Sequence, residues 1–268
     1  MQSSQAWIKG TSLVTHESLI PSAKEPLVLL LGATKSVKEN FDAEHLGDAI
    51  FRLLSFLADA EIPVTIITFN SRLTLLHPKD QSKFELVNCE LRDGKVHETM
   101  QGSLSTVETV LNQSINQKNV AWIVEQFGAK VAAQTEQRSW ITPALVLAGR
   151  VLEVVCGRTD HGRVLLLSDG HENYGGGLQR SLPSALRTAT QSIGRCPSAQ
   201  VVCLALSDCA NVKWLAAIAL MFDGCLCVAR SEQDIGRELE TCMLFLSRSP
   251  RAILMDINST NEGYQPIP

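Results

Sequence analysis

The residues best placed to do chemistry are one aspartate and a few hydroxyls. Asp169 follows an apolar run in the segment VLLLSDGHEN, with His171 and Glu172 close behind it. Thr34 and Ser36 follow another apolar run in LVLLLGATKS, and Thr142 stands in WITPALVLAGRVL. One carboxylate with three hydroxyls is an oxygen-donor set. It suits a hard divalent cation, which prefers oxygen ligands, and it equally suits hydrogen bonds that tie loops together. Each member also has a local role open to it. An Asp-Gly pair after a strand makes a turn in which the carboxylate accepts backbone N–H groups. A threonine at a helix start caps it, and loop hydroxyls satisfy loop amides.

Catalytic constellations are hard to assemble from the same material. The six histidines, at 16, 45, 77, 97, 161 and 171, are scattered, with no His-Glu-x-x-His among them. No Gly-x-Ser-x-Gly elbow occurs. His171 beside Asp169 and Glu172 is the nearest approach to a hydrolytic site. Neighbours on one loop rarely supply nucleophile, base and orienter together, so a hydrolase ranks third among the readings. The glycines at 175–177 precede no Gly-Lys-Ser/Thr and form no phosphate loop. Eight cysteines include no Cys-x-x-Cys pair, which argues against a zinc site. Cys203, Cys225 and Cys227 sit in apolar runs, where a thiol packs as a small hydrophobe. Cys225 and Cys227, two apart, share one side of a strand.

The elements that must position these groups alternate. Leu27–Leu31 is a continuous apolar run, as in a strand buried on both faces. A polar loop, Gly32–Asn40, leads to a helix over Ala43–Ala58 capped by Asp42. Val64–Phe69 is a β-branched strand, Asn70-Ser71 a turn, and Leu73–Leu76 a short edge strand. Between 79 and 139 the rhythm breaks. Phe84–Leu91 reads as a strand and Val107–Ile115 and Val120–Ala133 as helices, together a helical insertion on one side of the sheet. Thr142–Val155 is a helix with Pro143 in its first turn. Then come strand Val164–Leu167, helix Pro183–Ile193, strand Gln200–Leu206, helix Val212–Met221, strand Cys225–Val228 and helix Glu232–Leu246. Arg251–Ile257 reads as the start of a further strand. Such alternation specifies an α/β fold: a doubly wound, mostly parallel sheet with helices on both faces. Ligands in such sheets bind at the carboxyl ends of the strands. Gly32–Asn40, Ser139–Pro143 and Ser168–Gly177 are the loops there.

Those three loops carry a resemblance to the von Willebrand factor A domain. That family holds a metal-ion-dependent adhesion site built from Asp-x-Ser-x-Ser, a Thr often followed by Pro, and an Asp in a Thr/Ser-Asp-Gly turn. VLLLSDGHEN is similar to the third element and supplies Asp169. WITPALVLAGRVL resembles the second, with Thr142. LVLLLGATKS resembles the first, with Gly32 at the first Asp, Thr34 at the first Ser and Ser36 at the second. VVCLALSDCANVKWLAAIALMFDGCLCVA looks like the family's last two strands and the helix between them. The resemblance runs from Pro26 to Leu246, less the insertion. It implies a Rossmann-like A domain with a degenerate adhesion site. One of its two carboxylates is missing, and Lys35 adds a positive charge nearby. Glu39, Asp160 and Glu172 offset that loss only if their loops fold inward. No cofactor is expected beyond weakly held Mg²⁺.

The chain of 268 residues is long enough for one elaborated α/β domain. We read 1–25 as an N-terminal arm, 26–248 as the A-like domain with its insertion at about 79–139, and 249–268 as a C-terminal extension that begins a β-rich module. A net charge of -4 disfavours nucleic acid or an anionic membrane surface as the main partner, since both select basic faces. No apolar run is long enough to insert in a membrane. The expected partner is another protein. It would be met at the sheet's carboxyl-end face through Gly32, Lys35, Trp140, His171, Glu172 and Tyr174, within a multiprotein assembly. An exposed Trp140 and Tyr174 would suit such a surface, and a buried Trp140 would serve the core. Two family settings fit: intracellular scaffolds of ubiquitin-linked type, and the divergent trunks of vesicle-coat or transcription-repair complexes. A cytoplasmic, reducing location is expected from the cysteine placement. The alternative is a Mg²⁺-dependent adhesion or regulatory domain.

Overall fold

A computed structural model describes residues 25–40, 43–70, 72–77, 81–92, 95–100, 113–133, 139–155, 161–171, 193, 199–207 and 209–247. Five strands are mutually parallel: β1 (Leu27–Gly32), β2 (Pro63–Phe69), β7 (Arg163–Ser168), β8 (Gln200–Leu206) and β9 (Leu226–Ala229). They lie in the order β2-β1-β7-β8-β9, so the first of the described strands is an interior strand. All six residues of β1 are buried, as its unbroken apolar run requires. Its side chains alternate between two cores. Val28 and Leu30 face one, while Leu27, Leu29 and Leu31 face the other.

The helices divide accordingly. α2 (Ala43–Asp59), α3 (Gln117–Ala132) and α6 (Glu232–Ser247) cover the Leu29 face through Ile50, Leu54, Ile123, Phe127, Leu239 and Leu246. α4 (Ile141–Val155) and α5 (Val212–Met221) cover the Leu30 face through Leu145, Leu152, Leu215 and Ile218. At the amino-terminal edge of the sheet, buried Arg163 pairs with Glu25. Burial pulls its guanidinium down to about 10.

Three expectations change. The polar loop after β1 instead contains a short helix, α1 (Lys35–Asn40). Among its described side chains only Val37 is buried, so it shows no apolar stripe from which to read a helix. Leu73–Leu76 is a strand, β3 (Leu73–His77), but not an edge. β4 (Ser82–Arg92) and β5 (Lys95–Met100) continue the sheet beyond it in an antiparallel meander. The 79–139 insertion is therefore only partly helical: it supplies α3 together with sheet. Gln113–Ser114, read as helical, form β6, antiparallel to Pro63–Val64 of β2. A two-residue strand depends on its partner, not on its own pattern. The expected Asp42 cap, residues 107–112, all but Ile193 of helix 183–193, and the segments 1–24 and 248–268 lie outside the described residues.

Candidate functional site

β1 and β7 are adjacent and in register, with Leu31 opposite Leu167. The sheet order reverses between them, and crevices in open α/β sheets form at such switch points. Gly32 closes β1 and Asp169 follows β7, so the loops holding Thr34, Ser36 and Asp169 emerge side by side.

Asp169 is the hub. Only 1% of it is exposed, and a buried carboxylate is costly unless its oxygens are hydrogen-bonded. Thr34 Oγ1 donates to Oδ2 at 3.1 Å, and Ser36 Oγ donates to the same oxygen. The two hydroxyls are 3.1 Å apart. The His171 backbone N–H donates to Oδ1 at 3.1 Å, and Ser168 Oγ reaches that oxygen at 3.4 Å. The Asp169 carbonyl accepts from the Asn211 N–H at 2.8 Å, which brings the start of α5 to the same point. Gly170 has φ +72, and a Cβ there would lie 2.8 Å from the Asn211 carbonyl oxygen. The turn reading of Ser168-Asp169-Gly170 and the hub reading therefore hold together.

Thr34 has a second task. Its hydroxyl accepts from the Val37 N–H at 3.3 Å and its carbonyl from the Lys38 N–H at 3.2 Å, which caps α1. Thr142 is buried within the first turn of α4, past the capping position, at the same end of the sheet. Its loop is fixed by a 3.0 Å bond from the Trp140 N–H to the Asn70 carbonyl at the end of β2.

The expected contact residues separate. His171 is exposed, its Nε2 3.0 Å from the Cys209 carbonyl oxygen. Trp140 is half-buried and packs against the α4–α5 core. Lys35 is half-exposed and pairs with Glu39 at 3.3 Å, so Glu39 offsets Lys35 and not the missing carboxylate. Gly32 is buried inside the sheet and offers no contact surface, a correction to its expected place at the interface. A Cβ on it would meet the Leu167 carbonyl oxygen at 2.8 Å and Phe69 Cζ at 3.2 Å. Strand packing thus fills the direction in which a first-position aspartate would extend. Asp160, Glu172 and Tyr174 lie outside the described residues.

The oxygens of Thr34, Ser36 and Asp169 are of the right kind for a hard cation. They bring one negative charge against two positive, and both hydroxyls already donate to the carboxylate. Among the described residues, no three His, Cys, Asp or Glu side chains gather as a metal-binding group.

Several supports went unread in the sequence. Asn70 Oδ1 accepts from the Arg72 N–H at 2.9 Å and shapes the β2–β3 turn. Lys38 Nζ donates to the Ala132 carbonyl at 2.7 Å, joining α1 to the end of α3. Lys130 Nζ reaches Thr74 Oγ1 at 2.5 Å, Thr68 Oγ1 and carbonyl at 3.2 Å, and the Arg72 carbonyl at 3.4 Å. A lysine in the last turn of an amphipathic helix reads as solvent-facing, and its cradle comes from strands 56 and 62 residues away. Lys130→Met keeps the apolar stem and removes the ammonium. It is expected to cost about 1–3 kcal/mol by leaving part-buried acceptors unmet. A urea midpoint lowered at unchanged slope would show it, and an unshifted midpoint would refute the cradle.

No family model matches this chain, and no curated protein matches it by sequence. Solved structures do. A von Willebrand factor type A protein from Catenulispora acidiphila is 13% identical with a TM-score of 0.54, over 84% of this chain and 43% of that one. The human COPII-coat protein Sec24c is 13% identical with a TM-score of 0.62, over 87% of this chain and 34% of that one. The chain thus spans less than half the length of either. At such identity the likeness is one of fold, and the fold is von Willebrand A-like.

Proposed function

We propose that this von Willebrand A-like chain is a noncatalytic protein-binding module that meets its partner at the carboxyl end of its sheet without needing a tightly held metal. The observation that carries the reading is the buried Asp169 carboxylate, whose oxygens are engaged by Thr34, Ser36, Ser168 and the His171 amide of the same chain. The carboxylate that would complete a divalent site has no counterpart at Gly32, and the Cβ direction there is closed. What the face offers a partner is Lys35, the accessible part of Trp140 and exposed His171 around a rigid base. The fold is one commonly used in protein interaction. The likeness to a coat protein supports a place in a multiprotein assembly over a free-standing receptor. Among the described residues no helix is long and apolar enough to cross a membrane. We place the module in the cytoplasm, a reading supported by the free thiols of Cys203, Cys225, Cys227 and Cys242. We assign no enzymatic role.

The test captures partners from native lysate with the chain, and with Lys35→Glu and His171→Glu. Neither side chain is buried, so melting should be unchanged. The specific partner is expected to bind the variants about tenfold more weakly, as loss of a contact worth somewhat over 1 kcal/mol gives. EDTA should leave capture intact. Equal capture by all three proteins would remove this face from consideration.

A second reading has an observation of its own. Thr34 Oγ1, Ser36 Oγ and Asp169 Oδ2 converge from two loops, as a Mg²⁺-dependent adhesion or regulatory site requires. Capture abolished by EDTA and restored by Mg²⁺ would favour it.

A further inference from the structure

The five parallel strands end at one edge of the sheet, and a basic side chain follows each of them. In the spatial order β2-β1-β7-β8-β9 these are Arg72, Lys35, His171, Lys213 and Arg230. Lys35 is half-exposed and the other four are exposed. Lys213 stands in the first turn of α5, and Arg230 lies between β9 and α6. Both helices begin at this edge, where their unbonded N–H groups add positive partial charge.

The two ends of the sheet differ in charge. The chain as a whole carries more acid than base, 28 Asp and Glu against 24 Lys and Arg. Exposed Asp59 and Glu61 precede β2 and exposed Asp223 precedes β9, all at the amino-terminal edge. At the carboxyl edge, carboxylates are engaged within the chain. Asp169 is held by Thr34 and Ser36, and Glu39 pairs with Lys35. Glu232 lies 3.4 Å from His45, and Asp234 pairs with Ser231 and Arg237, each at 2.8 Å. Lys213 and Arg230 form no ion pair with another described residue.

We propose that this face takes an acidic partner segment, an extended stretch bearing several Asp or Glu side chains laid across the strand ends from Arg72 to Arg230. The inference rests on the reading of this face as the binding surface. It adds the chemical class of the partner, with Arg72, Lys213 and Arg230 as further contacts. Neighbouring strands are about 4.8 Å apart, so the row crosses about 19 Å, the length of roughly six extended residues. Side chains of an extended segment alternate in direction, so every second one meets the row. Cations spread along a line fit spaced carboxylates better than one compact anion. The Lys35–Glu39 pair gives way readily, because an exposed pair one helical turn apart is weak. Complementary charge of this kind sets partner choice and association rate, and it weakens as salt rises.

The experiment measures fluorescence anisotropy of a fluorescein-labelled peptide of alternating glutamate and glycine with the full chain at low salt. Its glutamine-glycine counterpart is the neutral control. The acidic peptide should bind and the neutral one should not. Lys213→Glu and Arg230→Glu should each weaken binding about fivefold with melting unchanged, as reversal of an exposed contact charge does. Lys118→Glu makes the same change in net charge at the opposite end, where α3 starts beside β6 and the beginning of β2. It should leave the peptide's affinity within twofold of the parent. Equal weakening by Lys118→Glu, or equal binding of the two peptides, would overturn the proposal. Tighter binding of a single-stranded oligonucleotide or of phosphatidylserine vesicles than of the acidic peptide would do so too. Capture of the native partner separates this inference from the one beneath it. If Lys35→Glu weakens capture while no variant moves the peptide, the face stands and the acidic class falls. If neither responds, the face falls with it.

Discussion

Gly224→Ala is expected to destabilise the fold by about 3–5 kcal/mol, the severe end of what overpacking does. Gly224 sits in the tight link from α5 into β9, its N–H bonded to the Ala219 carbonyl at 2.9 Å. A Cβ built on it would lie 1.7 Å from the carbonyl oxygen and 2.6 Å from the carbonyl carbon of Val201. Both are backbone atoms of β8, an interior strand, and no rotamer change relieves the overlap. The link or the strand must move, and the β8–β9 pairing depends on both. Gly128 in α3 and Gly236 in α6 are the controls, since nothing lies within 4 Å of a Cβ at either. Alanine there should stabilise by about 0.4–1 kcal/mol by restricting the unfolded chain. Urea denaturation of the three variants makes the comparison. A wild-type midpoint for Gly224→Ala would mean that the close approach to Val201 is absent.

The second large effect falls on the candidate site. If Gly32 merely marked a lost ligand, Gly32→Asp would restore a divalent site. The geometry forecasts otherwise. Gly32→Ala already brings a Cβ to 2.8 Å from the Leu167 carbonyl oxygen and 3.2 Å from the Phe69 ring. Phe69 is fully buried and cannot retreat freely. A loss of about 1–3 kcal/mol is expected for alanine. Aspartate should lose more, since it adds a second buried carboxylate near Asp169, where like charges disfavour each other's ionised form. Neither variant should gain stability from Mg²⁺. A true site would gain about 2.7 kcal/mol at a hundredfold excess over Kd, a shift of several degrees in Tm. Should Gly32→Ala melt like the parent and Gly32→Asp gain such a Mg²⁺-dependent rise, the vestigial reading of this site is finished.

How far the fold can be read from the residues depends on how local the cause is. β1, β7 and β8 are legible because a strand buried on both faces must be apolar along its middle, and Leu27–Leu31, Val164–Leu167 and Val201–Leu206 are; β2 is legible from its β-branched residues, with Thr65 and Thr68 among them. α2 is legible because Leu46, Ile50, Leu53, Leu54 and Leu57 fall on one side and are buried there. α1 is not, because it is held by the Thr34 cap and not by an apolar face. β5 and β6 exist through pairing with partners, which leaves little trace in their own sequences. The site follows the same rule. Motif order brought Thr34, Ser36 and Asp169 together. That their oxygens spend themselves on each other could be known only from contacts spanning 133 and 135 residues. Gly32 reads as a vacancy in the motif, and the packing around it shows a position that demands the absence of a side chain.

The interior position of β1 bears on how the chain comes to be folded at all. The first of the described strands is flanked by β2 on one side and by β7 on the other. Closing the loop from Leu27 to Arg163 costs about 4 kcal/mol of chain entropy by the usual logarithmic scaling. Nothing near in sequence repays it. During synthesis, therefore, LVLLLG waits with one open edge while the ribosome makes more than a hundred further residues, on the order of ten seconds at typical rates. An apolar strand with an unpaired edge is what aggregation and chaperones both recognise. The strand that organises the finished sheet is thus the nascent chain's chief hazard, and β7 removes it on arrival.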